Sequence, residues 1–189
     1  WDGEAATLTV DGIEVWSWTG ITEGTNECGR GSPDMVIRIS EEVEHTADTA
    51  TLRITTTLDQ GPGDESFGID NVRIIGVQTS FECVSDAVLC QEGEFDSFAD
   101  GVEEWTSNVD LSTTECGSSG AVLGGYGVTG QDAYVEKTFD LAAHPHDEVV
   151  VSLDFVRIDS WDGEAAWVSV DGVKVWEQEF RQAGLTVDV

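Results

Sequence analysis

Carboxylates are the side chains in this sequence best suited to do chemistry. Asp and Glu number 38 against 8 Lys and Arg, which gives a formal charge of −30. Calcium takes about six to eight hard oxygen ligands, several of them from closely spaced loop residues. Two stretches offer that spacing. One holds Asp64, Glu65, Asp70 and Asn71; the other holds Asp159, Asp162 and Glu164, with Asp2 and Glu4 as repeat counterparts of the last two. Ca2+ is therefore the one cofactor expected. No EF-hand or nonapeptide calcium pattern accompanies these residues. The same carboxylates can instead cap turns and accept backbone N–H bonds.

Glycan recognition is the second chemistry to consider, because aromatic faces beside polar side chains make sugar platforms. Trp16, Trp18, Trp105, Trp167 and Trp176 are the candidates. Alternation along their strands places Trp16 and Trp176 on the face opposite the aliphatic residues. A Trp there is either a platform or an anchor for a neighbouring sheet or subunit. Catalysis finds little support, and the protein is expected not to be an enzyme. Glu103-Glu104 and Asp64-Glu65 are adjacent pairs, which a strand would point to opposite faces. His144-Pro145-His146 has no identifiable third and fourth metal ligand and reads as a solvated loop. His45 reads as a strand-end residue. There is no G-x-S-x-G, P-loop or dinucleotide fingerprint.

The acidic residues are spread along the whole chain rather than gathered in a tail. Such a surface repels nucleic acid and anionic lipid and attracts divalent cations. No run of ~18 apolar residues is present, so no membrane-inserted segment is expected. The four cysteines, Cys28, Cys83, Cys90 and Cys116, include no CxxC pair, which favours disulfides and an oxidising, extracellular setting over zinc. Three connectivities are possible. The preferred one closes a short loop with Cys83–Cys90 and joins Cys28 to Cys116; buried free thiols are the alternative.

The elements that must position these groups read as strands nearly throughout. Leu8 and Val10, then Ile13 and Val15, alternate with polar residues around Asp11-Gly12, a pair suited to a type I′ turn. Val168, Val170, Val173 and Val175 repeat the pattern around Asp171-Gly172. Further strands are expected where Met35, Ile37 and Ile39 share a face, where Leu52, Ile54, Thr56 and Leu58 do, and over residues 67–77, 95–99, 134–141 and 148–158. Residues 40–48 are the only plausible helical turns. Residues 117–130, rich in Gly, Ser and Thr, read as a long loop or a loosely paired hairpin. Many short strands with Gly and Asp turns predict an all-β sandwich.

The hairpin pattern is part of a longer duplication. WDGEAATLTVDGIEVW begins at Trp1 and WDGEAAWVSVDGVKVW at Trp161, with eleven of sixteen positions identical at an offset of 160 residues. That offset is about one domain. The strings FVRIDSWDGE (from Phe155) and LDQGPGDESFGIDNV (from Leu58), with the hairpin ending in Trp176, resemble jelly-roll repeats of large secreted or surface proteins of ciliates, algae and other protists. The closing GIDNV is similar to the last strand of MAM-like and carbohydrate-binding-module-like jelly rolls. The resemblance implies a jelly-roll β-sandwich in an extracellular setting. It also implies a structural calcium near the first and last strands, where Glu94 or Asp96 would meet Asp70.

Against that order of elements, the chain is permuted. Residues 1–80 read as the C-terminal part of one repeat, 81–93 as a linker, and 94–189 as the N-terminal part of the next. The function expected is a structural extracellular module that assembles head to tail into a filament or surface layer, by strand complementation or tandem linkage. Its partners are copies of itself or adjacent repeats. Assembly would run through Leu8, Val10, Ile13, Val15 and Trp16 and through Val168, Val170, Val173, Val175 and Trp176. The alternatives are a carbohydrate-binding or adhesive module, calcium-dependent, of a cell-surface protein, and a monomer that pairs its own two halves, with residues 177–189 as a spare tail.

Overall fold

The computed structural model describes residues 25–77 and 102–180 in full, together with the backbone of strands at residues 5–10, 13–19 and 91–96. Alternating β-branched residues dictate the local structure. Among the described residues twelve strands result: β1 (Ala5–Val10), β2 (Ile13–Thr19), β3 (Met35–Glu44), β4 (Thr49–Thr56), β5 (Glu65–Val77), β6 (Gln91–Asp96), β7 (Thr113–Glu115), β8 (Ala121–Gly124), β9 (Tyr134–Asp140), β10 (Glu148–Asp159), β11 (Ala165–Val170) and β12 (Val173–Glu179). Every ladder is antiparallel.

Two sheets form the sandwich. One runs β3-β10-β5-β8-β7, with β6 also paired to β5; the other runs β12-β11-β4-β9. The segments expected to belong to successive repeats thus contribute to the same sheets. β10 lies between β3 and β5, and β4 lies between β9 and β11. Between the sheets, Leu52, Ile54, Ile69, Ile74, Val135, Phe139, Val151, Leu153, Phe155 and Val168 are buried. A smaller apolar cluster lies outside this core, where Val156 and Ile158 of β10 meet Val122 and Cys116. There the segment before β3 and the β7–β8 hairpin cover β10 from its outer side, and a disulfide joins Cys28 to Cys116. Cys83 and Cys90 lie outside the described residues.

Two sequence expectations change. Residues 40–44 continue β3 instead of turning helical, because Glu41, Glu42, Val43 and Glu44 stay in register with Val151, Val150, Val149 and Glu148 of β10; cross-strand pairing outweighs weak helix propensity. β6 begins at Gln91, inside the expected linker, and residues 78–90 and 97–101 lie outside the description. Of the two readings of residues 117–130, the hairpin is the one found: β8 pairs with β7 around a 3-10 turn, Gly117–Ser119.

The hairpin β11–β12 has the expected turn. Asp171 and Gly172 both carry positive φ, 48° and 79°, as a type I′ turn requires. The turn is tied to β4. Thr51 N–H donates to Asp171 Oδ1 at 2.7 Å and Asp171 N–H donates to the Thr51 carbonyl at 2.8 Å. β1 and β2 form a two-stranded sheet with each other.

Candidate functional site

The two strings that carry the resemblance lie about 95 residues apart in sequence and side by side in space. Glu65 opens β5 and Asp159 closes β10; the two face each other in the ladder, as do Ser66 and Ile158. Each residue of the Asp159–Glu164 turn then has a mechanical part. Asp159 adopts φ 63°, a left-handed conformation that Asp tolerates better than most residues. Its carboxylate accepts N–H bonds from Arg30 (3.0 Å), Gly31 (2.6 Å) and Ser32 (2.9 Å), so it latches the segment before β3 onto β10. Asp34 works in the opposite direction, accepting from the amides of Glu27 and Cys28 at 2.6 and 2.7 Å and from Asp159 N–H at 3.3 Å. Trp161 is fully buried, stacks edge-on against Phe155 and Phe180, and donates its indole N–H to the Ser66 carbonyl at 3.0 Å. Glu164 Oε2 accepts the amides of Asp162 (2.6 Å) and Gly163 (3.1 Å), which closes the turn.

This frame gathers three carboxylates. Asp59 follows β4, Glu65 begins β5 and Glu164 precedes β11. One oxygen from each lies within 4.8 Å of the others. The loop between β4 and β5 returns on itself through amides of Asp64 and Glu65 donating to the Gly61 carbonyl. Reciprocal bonds between Thr57 and Ala165, both 2.8 Å, hold that loop against β11. Asp59 is exposed, whereas Glu65 and Glu164 are buried. Among the described residues no donor reaches either oxygen of Glu65, which is 0 % exposed. Burial without a donor, and then the nearby charges of Glu164, Asp59, Asp162 and Asp64, push its carboxyl up to about 7. Burial also raises Glu164, against the lowering effect of the amides it accepts. An oxygen-only donor set of this kind suits a hard cation such as Ca2+.

Of the residues expected to hold calcium, Glu65 and Glu164 join this cluster. Asp64 and Asp162 lie nearby on exposed turns, and both act on Glu65 through their charge. Asp159 directs its carboxylate to backbone amides instead. Asp70 sits elsewhere, opposite Asp154 in the β5–β10 ladder. Its carboxylate accepts from Asn71 Nδ2, which also donates to Asp154, and Asp154 in turn receives Arg38. Burial, and to a smaller extent the Asp154 charge, raises the Asp70 carboxyl. Asp96 and Glu94 pair by backbone with Val72 and Ile74, and their side chains lie outside the described residues. Asp59 is the member that sequence reasoning missed. Its only signal was the return of the loop after β4, which is not visible without the fold.

The aromatic candidates divide differently from expectation. Trp105 is buried and stacks edge-on against Phe139. Trp176 was expected on the outer face, and the structure corrects this. The β11–β12 register shifts between Val168 and Ser169, so Val168 faces Trp176 and Ser169 faces Lys174, leaving Val175 as the extra residue of a bulge. A one-residue bulge turns the following side chain to the other face. Trp176 therefore packs on the core, its ring 6.1 Å from Phe155. Trp167 is half-buried with the Lys174 ammonium over its ring. Val168 and Val170 are buried, and Val173 at the hairpin tip is exposed. The side chains of Leu8, Val10, Ile13, Val15, Trp16 and Trp18 lie outside the described residues.

The remaining polar candidates take part in ion pairs and hydrogen bonds. Glu104 pairs with Lys137 at 3.4 Å. His146 approaches the His144 carbonyl and the buried His45 ring at 2.6 and 2.9 Å, and His45 reaches Asp171 at 2.9 Å, so a His–His–Asp chain ties β3, the β9–β10 loop and the hairpin tip together. Among the described residues no helix is long and apolar enough to cross a membrane. No family model, no curated protein and no solved structure matches this chain.

Proposed function

We propose that this protein is a structural module of an extracellular assembly, and that it joins copies of itself or adjacent repeats head to tail through a jelly-roll hairpin present twice in the chain. One observation carries the reading. The ladder of β1 with β2 and that of β11 with β12 agree pair for pair at the 160-residue offset: Ala5↔Thr19 with Ala165↔Glu179, Leu8↔Trp16 with Val168↔Trp176, and Val10↔Ile13 with Val170↔Val173. Even the bulge recurs, between Leu8 and Thr9 and between Val168 and Ser169.

A sandwich has one place for this hairpin, beside β4, and β11 fills it through Ala166↔Thr56 to Val170↔Leu52. The first copy is an equivalent plug for the corresponding place in another sandwich. An extended strand added to an open sheet edge gains main-chain bonds and alternate side-chain burial. A contact between two different surfaces propagates unless its rotation closes a ring. The Cys28–Cys116 bond supports an oxidising setting. The glycan-binding alternative loses three of its five platforms, because Trp105 and Trp176 lie in or against the core and Lys174 covers Trp167; Trp16 and Trp18 are the candidates left to it.

Light scattering on the full chain across about a hundredfold range of concentration tests this. Wild type should show concentration-dependent oligomers. Leu8→Asp with Val10→Asp, the counterparts of buried Val168 and Val170, should remain monomeric with an unchanged melting temperature. A wild-type chain that stays monomeric throughout overturns the proposal, and a monomer that binds a glycan panel replaces it with the adhesive reading.

A further inference from the structure

We propose that Asp59, Glu65 and Glu164 form a Ca2+ site that clamps the β4–β5 loop to the turn before β11. Two independent observations carry this. The first is convergence: three carboxylates from three separate points of the chain present oxygens within 4.8 Å of one another. The second is the state of Glu65, whose two carboxylate oxygens are inaccessible and reached by no donor among the described residues. A buried carboxylate is ordinarily paired, hydrogen-bonded or bound to a metal, because losing its water with nothing in exchange is costly.

The available partners make the case sharper. The groups facing Glu65 are Glu164, Asp59, Asp162 and Asp64, all acidic. Glu164 already directs Oε2 to two amides, which leaves Oε1 for a further partner. The spacing admits the ion. Two oxygens on opposite sides of Ca2+ are about 4.6–5.2 Å apart, whereas across Mg2+ they are about 4.0–4.2 Å apart. Three oxygens within 4.8 Å of one another can all be reached by one Ca2+, whereas Mg2+ gives up its waters reluctantly and is seldom held by a protein cage alone. Asp59, on the exposed side, supplies the entry path, and water completes the coordination. The site ties a loop of one sheet to β5 of the other, so it acts on stability and does not depend on the assembly proposed above.

The test uses the full chain, stripped with chelator and titrated with CaCl2 in about 0.15 M salt to screen diffuse binding by the acidic surface. Calorimetry should show one saturable site per chain. The melting temperature should rise by about 5–10 °C at a hundredfold excess over Kd. MgCl2 at the same concentration should give less than half that shift. Glu65→Gln and Asp59→Asn should each weaken Ca2+ at least tenfold, and Glu65→Gln should melt higher than wild type without Ca2+ because it removes a buried, unpaired acid. If Glu65→Gln does not fold, Asp59→Asn at its exposed position decides. Binding that never saturates, a melting temperature unmoved by millimolar Ca2+, or Ca2+ affinity unchanged in Asp59→Asn would each overturn the proposal.

Discussion

The Cys28–Cys116 disulfide allows a quantitative test of how the outer layer is held. Its cysteines are separated by 88 positions. In the chain-entropy account, a cross-link over that length removes about 4–5 kcal/mol of denatured-state freedom at 25 °C. The native bonds around it do not reduce that figure, because they are absent from the unfolded chain. They do decide whether the folded state survives the loss. Glu27 still accepts Ser118 N–H at 2.6 Å and its hydroxyl at 2.9 Å, and Asp34 still holds the amides of Glu27 and Cys28. The double variant Cys28→Ser/Cys116→Ser should therefore fold and leave Cys83 and Cys90 untouched. It should lose about 4–5 kcal/mol, with a further small cost for placing hydroxyls beside Val122, Val156 and Ile158. With a urea m-value of about 2 kcal/mol/M, the midpoint should fall by about 2 M at unchanged m. Fluorescence of the buried Trp105 and Trp161 reports the transition. A loss below about 1 kcal/mol would refute the reasoning, since it would mean that the denatured chain is already restricted across this loop.

Three further outcomes are expected. Asp159→Ala leaves the amides of Arg30, Gly31 and Ser32 without their acceptor and puts Ala at φ 63°, so it should cost about 2–4 kcal/mol in denaturant melts. Those three amides should then lose hydrogen-exchange protection before the core does. Asp171→Ala gives up the bonds to Thr51 and His45 as well as a residue suited to positive φ, and should cost about 1–3 kcal/mol, with the hairpin tip opening first. The Glu27 carboxyl is held below its usual range by the Ser118 N–H, then by the hydroxyls of Thr25 and Ser118. Because its folded value is depressed, its contribution is present above the unfolded value of about 4.3 and is lost as pH falls through the folded one. Melting curves of wild type and Glu27→Gln should differ at pH 7 and converge in acid; a constant gap would show that the charge is not involved.

Much of the fold is legible in the sequence, and the reason is alternation. Leu52, Ile54 and Thr56, or Val149, Val151 and Leu153, show period two so plainly that the strands and their buried faces follow directly. Asp171-Gly172 names its own turn. What alternation cannot show is a change of phase. The bulge that turns Trp176 inward adds one residue without any special sequence signal, and it reverses the face inferred for that side chain. The acidic site was half visible for a related reason. Glu65 and Glu164 stand in strings that look unusual, but Asp59 sits in an ordinary loop, and only tertiary packing brings it to them. Asp159 looked like a ligand because sequence shows the carboxylate and not the three amides that converge on it from the segment before β3.

On the proposed assembly, the matched registers of the two hairpins would turn the place beside β4 into a contest between near-identical occupants, with polymer statistics setting the odds. β11 reaches it from β10 across five intervening residues, 160–164, while β2 is joined to β3 across fifteen, 20–34. A threefold longer tether costs about 1 kcal/mol more in closure entropy, so the chain's own second hairpin wins locally by a factor of about five. That margin is small enough for side chains to reverse. The exchanges Thr7 for Trp167, Leu8 for Val168, Ile13 for Val173 and Glu14 for Lys174 then govern how often the first hairpin displaces the second. In the assembly proposed above, such a chain would carry its own competitive inhibitor, and its polymerisation would be a partition ratio written in those few positions.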